Sequence, residues 1–138
     1  FTLKFLGEIN EDEKNEIIKN LSKISLSSFD IHIKELGVFP DFNFVRIVWI
    51  GAQSQELKKL AEEVNKGSIS IKSEEEFVPH LTIARVKFLK DKEALKSRIK
   101  RFSSIDLGLY RVTKFYLMES TLFSQGPVYK PLREFVLF

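Results

Sequence analysis

The sequence predicts an α+β fold with two lobes, in which two antiparallel sheets flank a central cleft and helices pack outside them. Two observations predict this fold. Strand-like alternation near the start of the chain, and again from residue 81, is followed each time by an amphipathic helix and by further strand-like runs. The first strand-like segment, Phe1–Leu6, also repeats the second, His80–Arg85, almost residue by residue. With 138 residues and 43% hydrophobic content the chain can bury a core, and we expect residues 1–138 to form one bilobal domain.

The first element is a predicted strand. Thr2–Leu6 alternates polar and apolar side chains and is closed by Gly7. In a strand, side chains two positions apart project from the same face, so Thr2 and Lys4 are expected to lie side by side.

The remaining elements follow from apolar spacing and from turn residues. Apolar residues at steps of three and four indicate helices, for which Ser54 and Asp91 are suitable N-cap residues. Gly67 is expected to end the second helix with a left-handed cap. Gly126 and Pro127 separate the last two strand-like runs. The predicted helices are 12–24, 54–67 and 91–102, the predicted strands are 29–34, 44–50, 81–88, 109–118 and 128–138, and 68–76 is predicted to be an exposed loop or edge strand.

The repeat between the two strand-like segments is incomplete. Aligning Thr2 with Thr82 places Leu3 on Ile83, and it places His80 opposite the residue that precedes Phe1. The first copy therefore contains its threonine but not its histidine. We expect the counterpart of His80 to be a histidine directly before Phe1.

The second segment carries the side chains most suited to phosphate chemistry. His80 and Thr82 are two residues apart, so a strand presents the imidazole beside the hydroxyl. Histidine exchanges a proton near neutral pH, and a threonine hydroxyl donates a hydrogen bond to a phosphoryl oxygen. The guanidinium of Arg85 suits a phosphate, but its position five residues beyond His80 has the wrong parity for a straight strand. Arg85 joins the same face only if the strand is bent or bulged.

Composition excludes several classes of function. There is no cysteine, so a disulfide framework, a thiol nucleophile and a thiolate metal site are excluded, and a reducing cytosol is compatible. With two histidines and no HExxH spacing, neither a metal nor a cofactor is expected. The net charge of +3 permits nucleic-acid binding without requiring it. The longest strongly apolar stretch, 44–52, falls short of the roughly 18 residues of a membrane span, so no membrane partner is expected.

His32 is the only other histidine, but its setting does not favour catalysis. It shares a strand face with Asp30 and Lys34, and Lys34 occupies the position at which the repeat has threonine. A solvated strand position is the better interpretation of His32.

Three other features have both a functional and an ordinary interpretation. Lys4 shares a predicted face with Thr2 and would reach a substrate phosphate, or it is a solvated strand lysine. Tyr129 and Phe42 would stack on an unpaired base, or they belong to the core, as most of the 13 Phe and 3 Tyr do. The basic residues of 96–101 would steer RNA toward the cleft, although a solvated helix face is the more ordinary interpretation.

The two segments resemble the paired motifs of a known family. Phe1–Glu8 and His80–Arg85 are similar to the two histidine-x-threonine motifs of the RNA 2′,3′-cyclic phosphodiesterases, also called 2′-5′ RNA ligases, of the two-histidine phosphoesterase superfamily. The resemblance covers nearly the whole chain. Its supporting matches are 37–40 and 45–51, which look like the family's central hairpin, and 120–122 and 126–129, which look like its last strands.

This resemblance implies the bilobal fold and a metal-independent reaction that opens a terminal 2′,3′-cyclic phosphate to a 2′-phosphate. It implies that His80 is the proton acceptor and that the hydroxyls of Thr2 and Thr82 donate hydrogen bonds to the nonbridging phosphate oxygens. Arg85 is expected to stabilise charge in the transition state, with Lys4 and Tyr129 as further substrate contacts. The implied partner is RNA with 2′,3′-cyclic phosphate ends, tRNA halves among them, handled in the cytoplasm by a monomer. Joining of RNA ends through a 2′-5′ linkage is expected as a minor activity.

The resemblance also bears on the missing histidine. We expect a segment of about forty residues, with the family's first strand, helix and proton-donor histidine, to precede Phe1, because a half-sheet with an open edge is an unstable arrangement. A natural relic without that histidine is the other interpretation.

Two functions from different classes remain at this point. One is the phosphodiesterase. The other is a noncatalytic module that binds RNA ends and uses Thr2, His80, Thr82 and Arg85 only as hydrogen-bond donors. Substitution of His80 distinguishes them, because an enzyme loses turnover while a binding module loses affinity.

Overall fold

The computed structural model describes residues 1–68 and 77–138. The predicted loop or edge strand over 68–76 therefore lies, apart from Ser68, outside the described residues. In chain order, the elements are helix α1 (Glu11–Leu21), strands β1 (Phe29–Phe39) and β2 (Ile47–Gln53), helix α2 (Gln55–Gly67), strand β3 (His80–Arg85), helix α3 (Lys92–Arg101), and strands β4 (Asp106–Val112), β5 (Lys114–Phe123) and β6 (Gly126–Val136).

Side-chain caps fix where the helices begin. Ser54 accepts a hydrogen bond from the backbone of Leu57, and Asp91 accepts one from the backbone of Ala94, so both predicted N-caps are confirmed. Helix α1 begins with a capping box in which Asn10 and Glu13 accept hydrogen bonds from each other's backbone N–H groups. Because an N-cap of this type contributes about 1 kcal/mol, the polar residue before each apolar stripe sets the start of the helix.

The described strands form two antiparallel sheets, which confirms the predicted α+β class. The larger sheet has the order β3-β2-β1-β4, and β5 pairs with β6 in the smaller sheet. β3 and β4 come from the second part of the chain, yet they pair with β2 and β1 from the first part. The larger sheet therefore joins the two repeats, and β3 lies at its edge.

The core lies on one face of the larger sheet. The alternate residues Phe29 and Ile31 of β1 and Ala52 of β2 are buried there with apolar residues of α1, α2, β5 and β6. A smaller cluster joins Val38 and Val48 to Ile99 of α3. The residues between these positions, such as His32 and Trp49, project from the opposite face, which leaves that face available for a site.

The first predicted strand is wrong. Residues 2–6 have no strand partner within the described chain, and both Leu3 and Leu6 pack against the larger core. A spacing of three between the packed residues is incompatible with the period of two that the strand prediction assumed. The alternation of polar and apolar residues therefore did not predict the backbone of residues 2–6, where Leu3 and Leu6 contact the core.

Several element bounds also differ from prediction. β1 extends to Phe39, β2 begins at Ile47, and the predicted strand 109–118 is divided between β4 and β5, which belong to different sheets. Gly67 is the last residue of α2 and does not adopt a left-handed conformation, so the predicted cap is wrong. A Cβ on Gly67 would lie 3.1 Å from Cδ2 of Leu21, which indicates that glycine serves close packing against α1. Strand β3 ends at Arg85, three residues before the predicted end at Phe88.

No helix within the described ranges is both long and apolar enough to cross a membrane.

Candidate active site

Strand β3 presents His80 and Thr82 toward one side of the larger sheet. His80 lies opposite Gly51 of β2, and Thr82 lies opposite Trp49. Directly opposed residues of paired strands share a face, so these residues occupy the face that the core leaves uncovered. We call it the motif face and define it by His80, Thr82 and Arg85 of β3. His80 and Thr82 are half-buried there.

A bulge in β3 brings Arg85 to the motif face. Between Thr82 and Arg85 the chain advances three residues, whereas the paired positions of β2, Trp49 and Ile47, differ by two. Since Ile47 and Trp49 project from one face, the extra residue places Arg85 on the side of Thr82. The register thus supplies the bulge that the odd spacing of Arg85 requires. The guanidinium is exposed, as a group that meets a phosphate must be.

The ring of His80 is held in one tautomer. Its Nδ1 lies 2.7 Å from the backbone carbonyl oxygen of Val78. A carbonyl oxygen only accepts hydrogen bonds, so Nδ1 carries the proton and donates it. In the neutral ring Nε2 then holds the lone pair, which is the form that a general base needs.

Two aromatic side chains support this ring, and sequence reasoning missed their role. The rings of Phe39 and His80 meet edge to face with centroids 5.0 Å apart, and the Phe39 and Trp49 centroids are 5.2 Å apart. Phe39 belongs to β1 and His80 to β3, with β2 between them, so the larger sheet curls toward the motif face. No spacing in the sequence indicates a contact between strands that are not neighbours.

His32 lies on the same sheet but is bound differently. Its Nε2 is 2.7 Å from Oδ1 of Asp106 on β4, and it stands opposite Gln53, whereas His80 stands opposite Gly51. The backbone N–H of Gly108 and the hydrogen bond from His32 lower the pKa of Asp106. The two histidines are therefore separated by β2 and lie in different cross-strand rows. That His32 is not the catalytic partner of His80 stays a prediction.

Thr2 and Lys4 do not share the placement that a strand would give them. Thr2 is exposed, and the ammonium of Lys4 donates a hydrogen bond of 3.1 Å to the carbonyl oxygen of Ser68 at the end of α2. Partial burial lowers the pKa of Lys4. Lys4 is directed to the helix terminus, and residues 2–6 do not form the strand from which a shared face was inferred, so the joint projection of Thr2 and Lys4 stays a prediction. A contact of either residue with substrate stays a prediction.

The remaining candidates differ in their exposure. Tyr129 of β6 is 57% exposed and stands opposite Ser120, so its ring is free to stack on another group. Phe42 packs against the small cluster around Ile99, which supports its ordinary interpretation as a core residue. Lys92, Arg98, Lys100 and Arg101 of α3 are exposed and Lys96 is half-buried, with Ile99 as the buried residue of that helix.

Within the described residues, the motif face coincides neither with a metal centre nor with the groove around Phe29. In the part of the chain that the structure describes, no group of three His, Cys, Asp or Glu side chains is placed to hold a metal ion. A groove elsewhere contains none of His80, Thr82 and Arg85. It is lined by Ser25, Leu26, Ser27, Ser28, Phe29, Asp30, Glu56, Lys59 and Arg111.

Comparison with known proteins connects this arrangement to a family. The family model of LigT-like phosphoesterases matches residues 1–49 and 50–129. The RNA 2′,3′-cyclic phosphodiesterase of Aquifex aeolicus is 41% identical over 144 residues, which cover 99% of this chain and 76% of that protein. The protein of the same name from Methanocaldococcus jannaschii is 39% identical over 135 residues, 96% of this chain and 77% of its own length. The crystal structure of TT0787 from Thermus thermophilus has a TM-score of 0.80 and 27% identity, covering 97% of this chain and 75% of that one.

Proposed function

This chain belongs to the LigT-like phosphoesterases, as the resemblance of its motifs predicted, and we propose that it is an RNA 2′,3′-cyclic phosphodiesterase. The observation that carries the proposal is the state of His80, whose Nδ1–H is bound by the Val78 carbonyl while Nε2 holds the lone pair. The names of the relatives from Aquifex aeolicus and Methanocaldococcus jannaschii support the same activity.

His80 is the proposed proton acceptor. Its Nε2 takes a proton from a water molecule as the water oxygen attacks phosphorus in line with the bond to the 3′-oxygen. The new P–O bond forms as the P–O3′ bond breaks, so the phosphate stays on the 2′-oxygen. A second acid must protonate the departing 3′-oxygen from the opposite side. The alignment of Thr2 with Thr82 assigns this acid to a histidine directly before Phe1 in the full-length protein, and this assignment is part of the proposal.

Thr82 and Arg85 are the proposed phosphate contacts on β3. The Thr82 hydroxyl donates to a nonbridging oxygen, and the guanidinium of Arg85 offers two parallel N–H groups to the phosphate. Their placement on the motif face beside His80 supports these roles. Thr2 is the proposed counterpart of Thr82 on the other motif, with Lys4 and Tyr129 as outer contacts to the RNA. Lys4 would have to share or leave its hydrogen bond to Ser68 to reach a phosphate.

The same chemistry gives a proposed minor activity. If the 5′-hydroxyl of a second RNA replaces water, its oxygen forms the new bond to phosphorus while the P–O3′ bond breaks. The product then contains a 2′-5′ linkage, and no other reactant is needed. We further propose that tRNA halves are among the substrates and that a monomer acts on them in the cytoplasm, a location with which the absence of cysteine is compatible.

The test uses the purified full-length protein and an oligonucleotide that ends in a 2′,3′-cyclic phosphate. We expect a 2′-phosphate as the product, identified by ³¹P NMR, at a rate that EDTA does not change. An intact cyclic end would overturn the phosphodiesterase, and a 3′-phosphate would overturn the proposed direction of ring opening. Adding an RNA with a free 5′-hydroxyl tests the ligation, for which a 2′-5′ linkage is the expected product.

A further inference from the structure

The imidazole of His80 has two contacts of different kinds. The hydrogen bond from Nδ1 to the Val78 carbonyl fixes its tautomer and one direction of the ring. The edge-to-face contact with Phe39, at an interplanar angle of 87°, fixes the plane of the ring. A hydrogen bond alone leaves the ring free to rotate about its own axis through the bonded nitrogen, so the aromatic contact adds a separate restraint.

Phe39 is itself held by the indole of Trp49. The two rings are 5.2 Å apart between centroids and inclined by 34°. The indole lies on the backbone of Gly37, where a Cβ would come within 2.2 Å of Cζ2 of Trp49. A Cβ on Gly51 would stand 3.4 Å from Cζ3 of the same ring. Two glycines on β1 and β2 therefore leave room for the indole to lie along the sheet.

The N–H group of the Trp49 indole makes no hydrogen bond to the described residues. Nε1 of Trp49 is buried, and it has no hydrogen-bond partner among the described residues. A buried donor without an acceptor lowers stability, and native proteins contain few of them. A phenylalanine would fill much of this space without that loss, so the N–H group itself does not stabilise the position of Trp49.

We propose that Phe39 and Trp49 are positioning residues that hold the His80 imidazole at the angle its proton transfer requires. Trp49 rests on Gly37 and supports Phe39, and Phe39 supports His80. Neither aromatic residue needs to touch the substrate, since both act through the histidine. The inference rests on the proposed function of His80 as the base, because a misplaced base loses rate without losing substrate affinity.

The first test compares two substitutions in the full-length protein. Phe39→Leu removes the ring beside His80, while Phe44→Leu removes an exposed ring that Arg46 covers at 4.3 Å in the loop between β1 and β2. We expect Phe39→Leu to lower kcat about 10- to 100-fold with KM little changed. Phe44→Leu is expected to keep both constants near the wild-type values. A rise in KM with unchanged kcat for Phe39→Leu would assign Phe39 to substrate binding and overturn the proposal.

A double-mutant cycle separates positioning from general loss of structure. In the His80→Ala background there is no imidazole to hold, so adding Phe39→Leu should leave the residual rate unchanged. If Phe39→Leu lowers the residual rate by the same factor as in the wild-type background, Phe39 acts independently of His80 and the proposal fails.

Trp49→Phe supplies a second variant. It removes the unpartnered N–H, so we expect an unchanged or raised Tm together with a lower kcat.

A measurement without substrate keeps this inference distinguishable from the phosphodiesterase proposal. ¹⁵N NMR of the His80 ring reports which nitrogen carries the proton in the neutral form. We expect one tautomer, protonated at Nδ1, in the wild type and in both variants, because the Val78 carbonyl fixes it, whereas ¹³C relaxation of the His80 ring C–H groups should show a more mobile ring in Phe39→Leu than in the wild type or Phe44→Leu. Inactive wild-type protein with this pattern would overturn the function but retain the positioning, and unchanged ring mobility in Phe39→Leu would overturn the positioning.

Discussion

The two histidines of this chain lie on one curled sheet, and their different partners give them different chemistry. His80 donates from Nδ1 to the Val78 carbonyl, and the ring is supported by Phe39. His32 is bound through Nε2 to the carboxylate of Asp106. The Val78 carbonyl engages Nδ1 of His80 and leaves Nε2 available, whereas the Asp106 carboxylate occupies Nε2 of His32 and anchors that ring. Both residues are histidines, so the atom that is hydrogen-bonded to each ring indicates which of them is suited to move a proton.

The largest expected effect contrasts the two histidines directly. His80→Ala should lower kcat for a 2′,3′-cyclic phosphate end about 10²- to 10⁴-fold, because it removes the general base. His32→Ala is the matched control and should keep turnover close to that of the wild type. Steady-state rates and the affinity for a 2′-phosphate end are measured for both. Equal losses of turnover and affinity in His80→Ala would favour the noncatalytic RNA-end module.

The second contrast concerns two arginines, Arg85 on the strand of His80 and Arg111 on the strand that pairs with the strand of His32. Arg85 lies beyond the bulge of β3, while Arg111 of β4 forms an ion pair of 3.4 Å with Asp30 and a hydrogen bond to Ser28. Arg85→Lys removes the two parallel N–H groups and should lower kcat/KM about 10- to 100-fold, as expected for a charged hydrogen bond. Arg111→Lys should leave kcat/KM unchanged, and a comparable loss there would move the phosphate contact away from β3.

A smaller effect is expected from the threonine that shares a face with His80. Thr82→Val keeps the branched shape but removes the hydroxyl that donates to the phosphate, and the loss in kcat/KM should be about tenfold. The control is Thr113→Val, at an exposed threonine between β4 and β5. Wild-type kinetics for Thr82→Val would remove Thr82 from the site.

The smallest effect tests the anchoring of His32. The Gly108 N–H and His32 lower the pKa of Asp106 below its ordinary value of 3.8. A lowered carboxyl pKa contributes stability above the ordinary value, and this contribution is lost as the pH falls through the folded-state value. Asp106→Asn should therefore lower Tm at pH 7, and the difference from the wild type should shrink toward about pH 3. A difference in Tm that does not depend on pH would mean that the charge of Asp106 has no part in it.

Much of the fold and the centre of the site could be predicted from local patterns. The caps at Ser54 and Asp91 and the two antiparallel sheets follow from residue type and spacing. The need for a bulge before Arg85 follows from the parity of a strand. Each of these depends on residues a few positions apart, where backbone geometry relates spacing directly to direction.

The sequence by itself determined the family, the helix starts and the motif that contains His80, Thr82 and Arg85. Only the tertiary structure decided the tautomer of His80, its contact with Phe39, the pairing of His32 with Asp106 and the irregular backbone of residues 2–6. The physical reason is distance along the chain. Asp106 is 74 residues from His32, and the curl of the sheet that joins Phe39 to His80 depends on every strand between them. The spacing of residues along a strand determines the face from which a side chain projects. The packing of distant segments determines which atom that side chain contacts.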